Sequence, residues 1–372
     1  MHVFLVPGFF GFANLGDFAY FGHVRDTLTR ALSELGAHAQ VHVVHTPPTA
    51  SLPRRATRLL EALAATAGSD EAPLHLVGHS SGGLDARLLL SPGASFPTAF
   101  SAEAYAARVR SLVTVSTPHR GTPVASFFTS LLGQRLLQLL SLSTIYALRV
   151  GSLPLSALAE VTRMFTGREG GKDEGLFVGL IEEMLGGFTA DRRATLRQFM
   201  TDVGEDQALM LQLAPDSMEL FNASTRDRPQ VRYGCVVTRA RPPGLGSRLA
   251  AGLSAYAHAT HTLYDALYRL AAGMDAKKLL PLSEATRAAL VAGLGELPSA
   301  TDNDGVVPTL SQPWGDVIAC AVADHLDVLG HFAGEKLSPP HHDWLCTGSG
   351  FSREAFEQVW HAVARWLLAP TS

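Results

Sequence analysis

A serine flanked by glycines lies where a buried strand pattern changes into a helical pattern. Residues 74–83 read L-H-L-V-G-H-S-S-G-G, and their centre fits G-x-S-x-G with Ser80 in the middle. A serine on such a sharp strand-to-helix turn projects its hydroxyl away from the sheet, as a nucleophile requires. Gly78 and Gly82 are expected because side chains there would clash across the turn. The pattern, with His79 beside Ser80, therefore predicts a nucleophile elbow; the alternative is an ordinary glycine-rich turn.

A serine nucleophile needs a base and an acid that orients the base. After an elbow of this kind they follow in the chain order serine, acid, histidine. Residues 301–308 read T-D-N-D-G-V-V-P, an acidic turn that offers Asp302 and Asp304, and spacing does not choose between them. His325 is preferred among the 15 histidines because it follows directly on a strand pattern, whereas the pair at 341–342 fits a polar loop.

Acyl transfer also needs backbone N–H groups aimed at the developing oxyanion. The amide of Ser81 follows the nucleophile directly, at the start of a helix whose positive end faces the same point. A second donor should come from a glycine-containing loop after an early strand, and residues 6–12 (V-P-G-F-F-G-F) fit. The amide of Phe9 is the predicted donor, and simple packing of this loop into the core is the alternative.

The elements that position these residues follow from the hydrophobic pattern. Short apolar runs alternate with helical patterns along the first 116 residues, which is typical of a parallel sheet buried on both faces. The predicted strands are 2–6, 39–45, 74–77, 111–116, 231–237 and 316–322. The predicted helices are 17–35, 54–67, 82–90, 248–274, 285–294 and 353–368. Ser80 and His325 both fall at carboxyl ends of strands, where such sheets carry their active sites.

Between the fourth and fifth predicted strands the pattern is only helical. We therefore predict one α/β core, residues 1–122 and 231–372, interrupted by a helical cap at 123–230 and by a further helical stretch at about 245–295. The cap is rich in paired apolar residues at helical spacing. Two interpretations stay open: a subdomain packed permanently on the sheet, or a lid that opens onto lipid or lines an acyl pocket.

Composition excludes several classes of protein. The 372 residues are 47% hydrophobic and 17% charged, with a net charge of −4, so a largely disordered chain, a nucleic-acid partner and a polybasic membrane anchor are not expected. The longest strongly apolar stretch has 13 residues, against about 20 for a transmembrane helix. No signal-peptide pattern is seen, so a cytoplasmic protein is expected, with leaderless secretion left open. Cys235, Cys320 and Cys346 are expected to be thiols.

Together these stretches resemble the α/β-hydrolase superfamily, and within it the bacterial triacylglycerol lipases of the Pseudomonas and Burkholderia type. The likeness is carried by the Pro-Gly-Phe loop, G-H-S-S-G-G, residues 116–123 (S-T-P-H-R-G-T-P), N-D-G at 303–305 and D-H-L-D at 324–327. It covers residues 2–123 and 300–332 well and the helical middle loosely. The resemblance implies Ser80 as nucleophile, His325 as base and Asp304, rather than Asp302, as the acid.

The chain departs from that family at two places. One carboxylate of the family's calcium site follows the histidine by two residues, and Asp327 matches it. The segment expected to hold another, residues 282–285, contains only Glu284. Leu310 stands where the family has a disulfide cysteine, in agreement with free thiols. The resemblance implies no required cofactor, and it leaves a structural calcium ion at Asp327 as an open alternative.

These residues predict a serine hydrolase that cleaves esters with hydrophobic acyl groups, a lipase or esterase that works through an acyl-enzyme, with a hydrophobic ester and a lipid–water interface as its partners. An acyltransferase, or a hydrolase of polyesters or amides, would need the same three residues. A protein of another class, a non-catalytic binding protein of the same fold, is less compatible with a complete set of serine, aspartate and histidine.

Overall fold

The computed structural model describes residues 1–9, 20–68, 70–149, 156–157, 159–160, 174–251, 255–332, 343, 345 and 347–370. Within them, six parallel strands form one sheet in the order β2-β1-β3-β4-β5-β6. The strands are β1 (His2–Val6), β2 (Gln40–Val43), β3 (Leu74–His79), β4 (Val109–Val115), β5 (Arg232–Thr238) and β6 (Asp316–Ala321). All six correspond to predicted strands, and β3 extends to the residue before Ser80.

Helices cover both faces of this sheet. Those of the core are α1 (Gly22–Glu34), α2 (Leu52–Ala67), α3 (Ser81–Leu90), α4 (Ala102–Ala106), α11 (Leu245–Ala251), α12 (Ala255–Ala271), α13 (Glu284–Leu294) and α14 (Arg353–Leu368). Those of the predicted cap are α5 (Pro123–Phe128), α6 (Leu131–Arg149), α7 (Glu174–Gly186), α8 (Ala190–Glu205), α9 (Ala208–Gln212) and α10 (Pro215–Ser224). The α/β fold expected from the sequence is confirmed.

The alternation of apolar side chains along β1 shows how the two faces are built. Val3 and Leu5 join the cluster that contains α1 and α14, whereas Phe4 and Val6 join the cluster that contains α2 and α3. Successive residues of a strand point to opposite faces, so a run of apolar residues is buried on both. The sheet is therefore packed between two layers of helices.

The described part of the predicted helix over 248–274 is helical in two ranges, α11 and α12, and residues 252–254 between them lie outside the described residues. The predicted start at residue 17 lies outside the described residues, and α1 begins at Gly22.

The cap helices share a hydrophobic core with the sheet. Buried residues of α6, α8 and α9, such as Leu137, Val203 and Leu209, belong to the same cluster as Val113 of β4. In this conformation the apolar face of the cap is therefore turned inward. None of the helices in the described part of the chain combines the length and apolar character that a membrane span requires.

Candidate active site

Ser80 lies in a strained turn between β3 and α3. Its backbone has φ 53° and ψ −131°, and its N–H donates to the Val115 carbonyl oxygen at 2.8 Å. A Cβ on Gly78 would lie 2.4 Å from the Gly83 nitrogen, and one on Gly82 would lie 2.2 Å from the Val6 carbonyl oxygen. Positive φ is unfavourable for a serine, so the surrounding close packing must hold it there.

His325 and Asp304 form a buried pair. The Nδ1 atom of His325 lies 2.9 Å from Oδ2 of Asp304, and the His325 N–H donates to the Asp304 carbonyl oxygen at 3.0 Å. A carboxylate only accepts hydrogen bonds, so the Nδ1 atom of His325 carries the proton of this bond. Asp302 instead lies beside Arg239, 3.9 Å from its guanidinium. Of the two aspartates that spacing left open, the structure brings Asp304 to His325.

The Asp304 carboxylate is held by other groups besides His325. Its Oδ1 accepts from the amides of Val306 and Val307 at 3.0 and 2.7 Å. Its Oδ2 accepts from the Thr238 hydroxyl at 2.8 Å and from the Gln312 side-chain amide at 3.4 Å. Sequence reasoning missed Thr238 and Gln312. The available signal for Thr238 was its position at the carboxyl end of a predicted strand.

The loop after β1 lies directly against the elbow. A Cβ on Gly8 would lie 2.5 Å from the Ser80 Cβ and 3.0 Å from the His79 carbonyl oxygen, so only glycine fits this approach. Phe9 is buried and lines the same cavity as Ser80. Ser81 is the first residue of α3, where helix N–H groups lack partners within the helix. Ser81 thus follows Ser80 directly and Phe9 lines the same cavity, while their role as oxyanion donors remains a prediction.

An apolar cavity opens at the carboxyl ends of the strands, between the sheet and the cap. Its free volume is about 60 Å³. Among the described residues that line it, only Ser80, Thr122 and His325 bring a polar side chain, and the Thr122 hydroxyl donates to the Val306 carbonyl. The others are Phe9, Pro118, Val124, Ala125, Phe128, Leu137, Met210, Leu213, Leu267, Val306, Val307, Leu326 and Leu345. The cavity therefore suits a hydrocarbon group bound beside the serine.

Asp327 lies in a second group of buried carboxylates. Its Oδ2 accepts from the Asp324 amide at 2.9 Å and from the Ser349 hydroxyl at 2.7 Å, while the Asp324 carboxylate accepts from the Leu326 and Asp327 amides. Burial raises the pKa of Asp324 to about 7, and repulsion from Asp304 adds to this increase. Burial likewise raises the pKa of Asp343 to about 8, with a further increase from the neighbouring Asp324.

Oxygen donors of this kind suit a hard cation such as calcium. In the part of the chain that the structure describes, however, no three His, Cys, Asp or Glu side chains converge closely enough to hold a metal ion together. Glu284 lies at the exposed start of α13. The described residues do not form a cation site as they stand, so no chemical step is assigned to a cation.

The cysteines within the described residues are thiols, as expected. Cys235 is buried in β5 and Cys320 is half-buried in β6. Burial raises the pKa of Cys235 to about 12 and that of Cys320 to about 11, so both are protonated near neutral pH. Cys346, like His341 and His342, lies outside the described residues.

No protein-family model and no curated protein matches the sequence. Solved structures do match the fold. Lipase 1 from Pelosinus fermentans aligns with 100% of this chain and 99% of its own, at 19% identity and a TM-score of 0.55. A metagenomic carboxyl esterase aligns with 99% of this chain and 75% of its own, at 17% identity and a TM-score of 0.51. Staphylococcus hyicus lipase aligns with 98% of this chain and 95% of its own, at 16% identity and a TM-score of 0.51. The chain therefore has the α/β-hydrolase fold of bacterial lipases and esterases.

Proposed function

We propose that this protein is a carboxylic-ester hydrolase that acts on esters with hydrophobic acyl groups through an acyl-enzyme intermediate. The observation that carries the proposal is the convergence of three features on one cavity. Ser80 stands on a strained elbow, His325 of the hydrogen-bonded pair with Asp304 lines the same cavity, and the remaining lining is almost wholly apolar. The shared fold with lipases and a carboxyl esterase supports the same class of reaction.

The chemistry follows from the proton positions. Nε2 of His325 takes the proton of the Ser80 hydroxyl as the oxygen attacks the ester carbonyl, and later gives it to the leaving alcohol. Asp304 keeps the other imidazole nitrogen protonated and stabilises the imidazolium that forms. The amides of Phe9 and Ser81 stabilise the oxyanion. Water then attacks the acyl-enzyme with the same histidine as base, and the acid product leaves.

The size of the cavity indicates how substrate enters. A free volume of about 60 Å³ holds about four to six groups the size of water, whereas pockets for drug-sized ligands have about 300–1,000 Å³. A short acyl chain fits this conformation. We infer that longer chains require the cap helices to move outward, so that the cap acts as a lid.

Hydrolysis of p-nitrophenyl esters from acetyl to palmitoyl, with emulsified triglyceride as a further substrate, tests the proposal. We expect turnover with wild-type protein and covalent labelling of Ser80 by an organophosphonate, and neither with Ser80→Ala. A preference for short chains without activity on emulsions would identify an esterase rather than a lipase. Unlabelled Ser80, or activity retained in Ser80→Ala, would refute the mechanism.

Calcium at Asp327 remains a prediction with a separate test. Thermal unfolding with EDTA and with added calcium should differ for the wild type if a cation binds there, and the difference should vanish in Asp327→Asn. Equal melting temperatures with and without calcium would refute it.

A further inference from the structure

A chain of hydrogen bonds runs behind the nucleophile, apart from the pair of Asp304 and His325. The Gly8 N–H donates to the Tyr20 hydroxyl at 3.4 Å, the Tyr20 hydroxyl lies 2.7 Å from Nδ1 of His79, and Nε2 of His79 lies 2.9 Å from the His325 carbonyl oxygen. Tyr20 is 2% exposed and His79 1% exposed. The chain thus starts in the loop after β1 and ends on the backbone of the base.

The acceptors fix the direction of every proton in this chain. The His325 carbonyl can only accept, so Nε2 of His79 carries the proton. Burial and the neighbouring His325 hold the pKa of His79 well below its usual range, so the ring is neutral and Nδ1 is an acceptor. The Tyr20 hydroxyl must then donate to Nδ1, and its oxygen accepts from Gly8. One tautomer therefore satisfies all three bonds.

The hydrogen bonds connect two groups whose relative position matters for the proposed reaction: the loop after β1 and His325. Gly8 precedes Phe9, the predicted oxyanion donor, and the Pro7 carbonyl accepts from the buried guanidinium of Arg55 at 2.7 Å. The loop is therefore fixed at two consecutive residues. At the other end, the rings of His79 and His325 have centroids 4.7 Å apart.

We propose that Tyr20 and His79 are positioning residues, which hold the oxyanion loop and the catalytic histidine at a fixed separation across Ser80. This inference rests on the proposed function for its kinetic consequence. Neither side chain is among those that line the cavity. Their loss should therefore lower kcat, because the oxyanion donor and the base move relative to each other, and leave KM nearly unchanged.

Tyr20→Phe is the central variant, because it keeps the ring and removes only the hydroxyl. We expect kcat for p-nitrophenyl butyrate to fall about 10- to 100-fold, less than the about 10²- to 10³-fold loss typical of deleting an oxyanion donor, with KM within about twofold. Tyr233→Phe is the matched control, since the Tyr233 hydroxyl also accepts from a backbone amide, that of Arg228 at 2.9 Å, but at the amino end of β5. It should keep wild-type kcat.

Two replacements of His79 separate positioning from simple packing. His79→Gln retains an amide N–H able to reach the His325 carbonyl and should keep more activity than His79→Leu, which offers no donor. An unchanged kcat in Tyr20→Phe, a fall equal to that of Tyr233→Phe, or a rise in KM alone would overturn the proposal. Equal losses in both His79 variants would also overturn it.

The imidazole ¹⁵N signals of the intact protein give a readout that does not depend on turnover. Tyr20→Phe should move the Nδ1 signal of His79 toward that of a nitrogen without a donor, and should also move the His325 signals, while Tyr233→Phe moves neither. His325 signals unchanged by Tyr20→Phe would overturn the positioning role. Failure of the wild type to hydrolyse esters or react with phosphonate would instead refute the proposed function. The two failures can be told apart, because the ¹⁵N signals report the hydrogen bonds whether or not the protein is active.

Discussion

The two sides of Ser80 are built in different ways. On one side, the Asp304 carboxylate accepts from His325, Thr238 and two backbone amides at 2.7–3.0 Å, so each atom has a directional partner. On the other side, side chains from the cap and α12, such as Leu213 and Leu267, enclose a cavity of about 60 Å³ by packing alone.

In the proposed hydrolase, the hydrogen-bonded side of Ser80 carries out the reaction and the apolar side selects the substrate. Hydrogen bonds lose most of their strength when their geometry changes, whereas apolar burial is non-directional and depends on the area removed from water. The polar side should therefore tolerate little change and act equally on every ester. The apolar side should accept repacking and determine which acyl chain binds.

The largest effect should come from removing the nucleophile. Ser80→Ala should lower kcat by about 10⁶-fold for all acyl lengths, because no acyl-enzyme can form. Ester hydrolysis and phosphonate labelling measure it. The matched control is Ser91→Ala at the far end of α3, where the Ser91 hydroxyl accepts from the Arg226 amide. Comparable losses in both variants would show that the effect comes from folding.

Asp304→Asn should lower kcat by about 10⁴-fold, again for every chain length, because an amide cannot stabilise the His325 imidazolium and favours the wrong tautomer. Asp302→Asn should remain near wild type, since Asp302 lies beside Arg239 and donors from Ser299 rather than beside the base. A larger loss of kcat in Asp302→Asn than in Asp304→Asn would show that Asp302, and not Asp304, is the acid. The ratio of kcat values for the two variants decides this point.

A smaller effect, and one that depends on the substrate, should follow changes on the apolar side. Leu213→Ala enlarges the cavity and should raise the ratio of kcat/KM for decanoyl over butyryl esters by about tenfold, within the range of 1–3 kcal/mol for a methylene-sized change. Leu209→Ala, a buried residue of α9 that does not line the cavity, is the control for lost packing. The same change in chain-length preference in both variants would contradict the assignment of Leu213.

The smallest effect should appear at the other end of β3, where a polar group is buried away from the serine. Burial, with the charged amino terminus as the next cause, lowers the pKa of His75 from 6.5 to about 4. The unfolded chain therefore takes up a proton first as the pH falls below about 6.5, so the free energy of unfolding decreases, by about 1.4 kcal/mol per pH unit at most, until about pH 4.

His75→Gln should lack this contribution, so its free energy of unfolding should fall less than that of the wild type between pH 7 and 5. Denaturant unfolding at each pH measures the difference, which should be about 1–2 kcal/mol at pH 5. His38→Gln, at an exposed histidine, should follow the wild type. A parallel pH dependence in His75→Gln would show that His75 does not titrate abnormally. The esterase activity of His75→Gln at pH 7 should be unchanged, because this buried histidine affects stability and takes no part in the reaction.

Local patterns were sufficient to predict the strands and the turn that carries Ser80. Apolar runs with strand spacing located all six strands within a few residues, and G-x-S-x-G between a strand and a helix placed Ser80 on its turn. These features depend on neighbours in the chain, so spacing alone reveals them.

The sequence by itself determined the parallel sheet and the turn that carries Ser80, and it offered an acidic turn and His325 as candidate partners. It did not choose between Asp302 and Asp304 without a resemblance, and it gave no sign of Gln312 or of the bond between Tyr20 and His79. Those contacts join residues from 8 to 59 positions apart through loops of irregular backbone. Only the packed strand ends bring them within hydrogen-bond distance, because loops carry no periodic pattern and their side chains meet only once the sheet has formed.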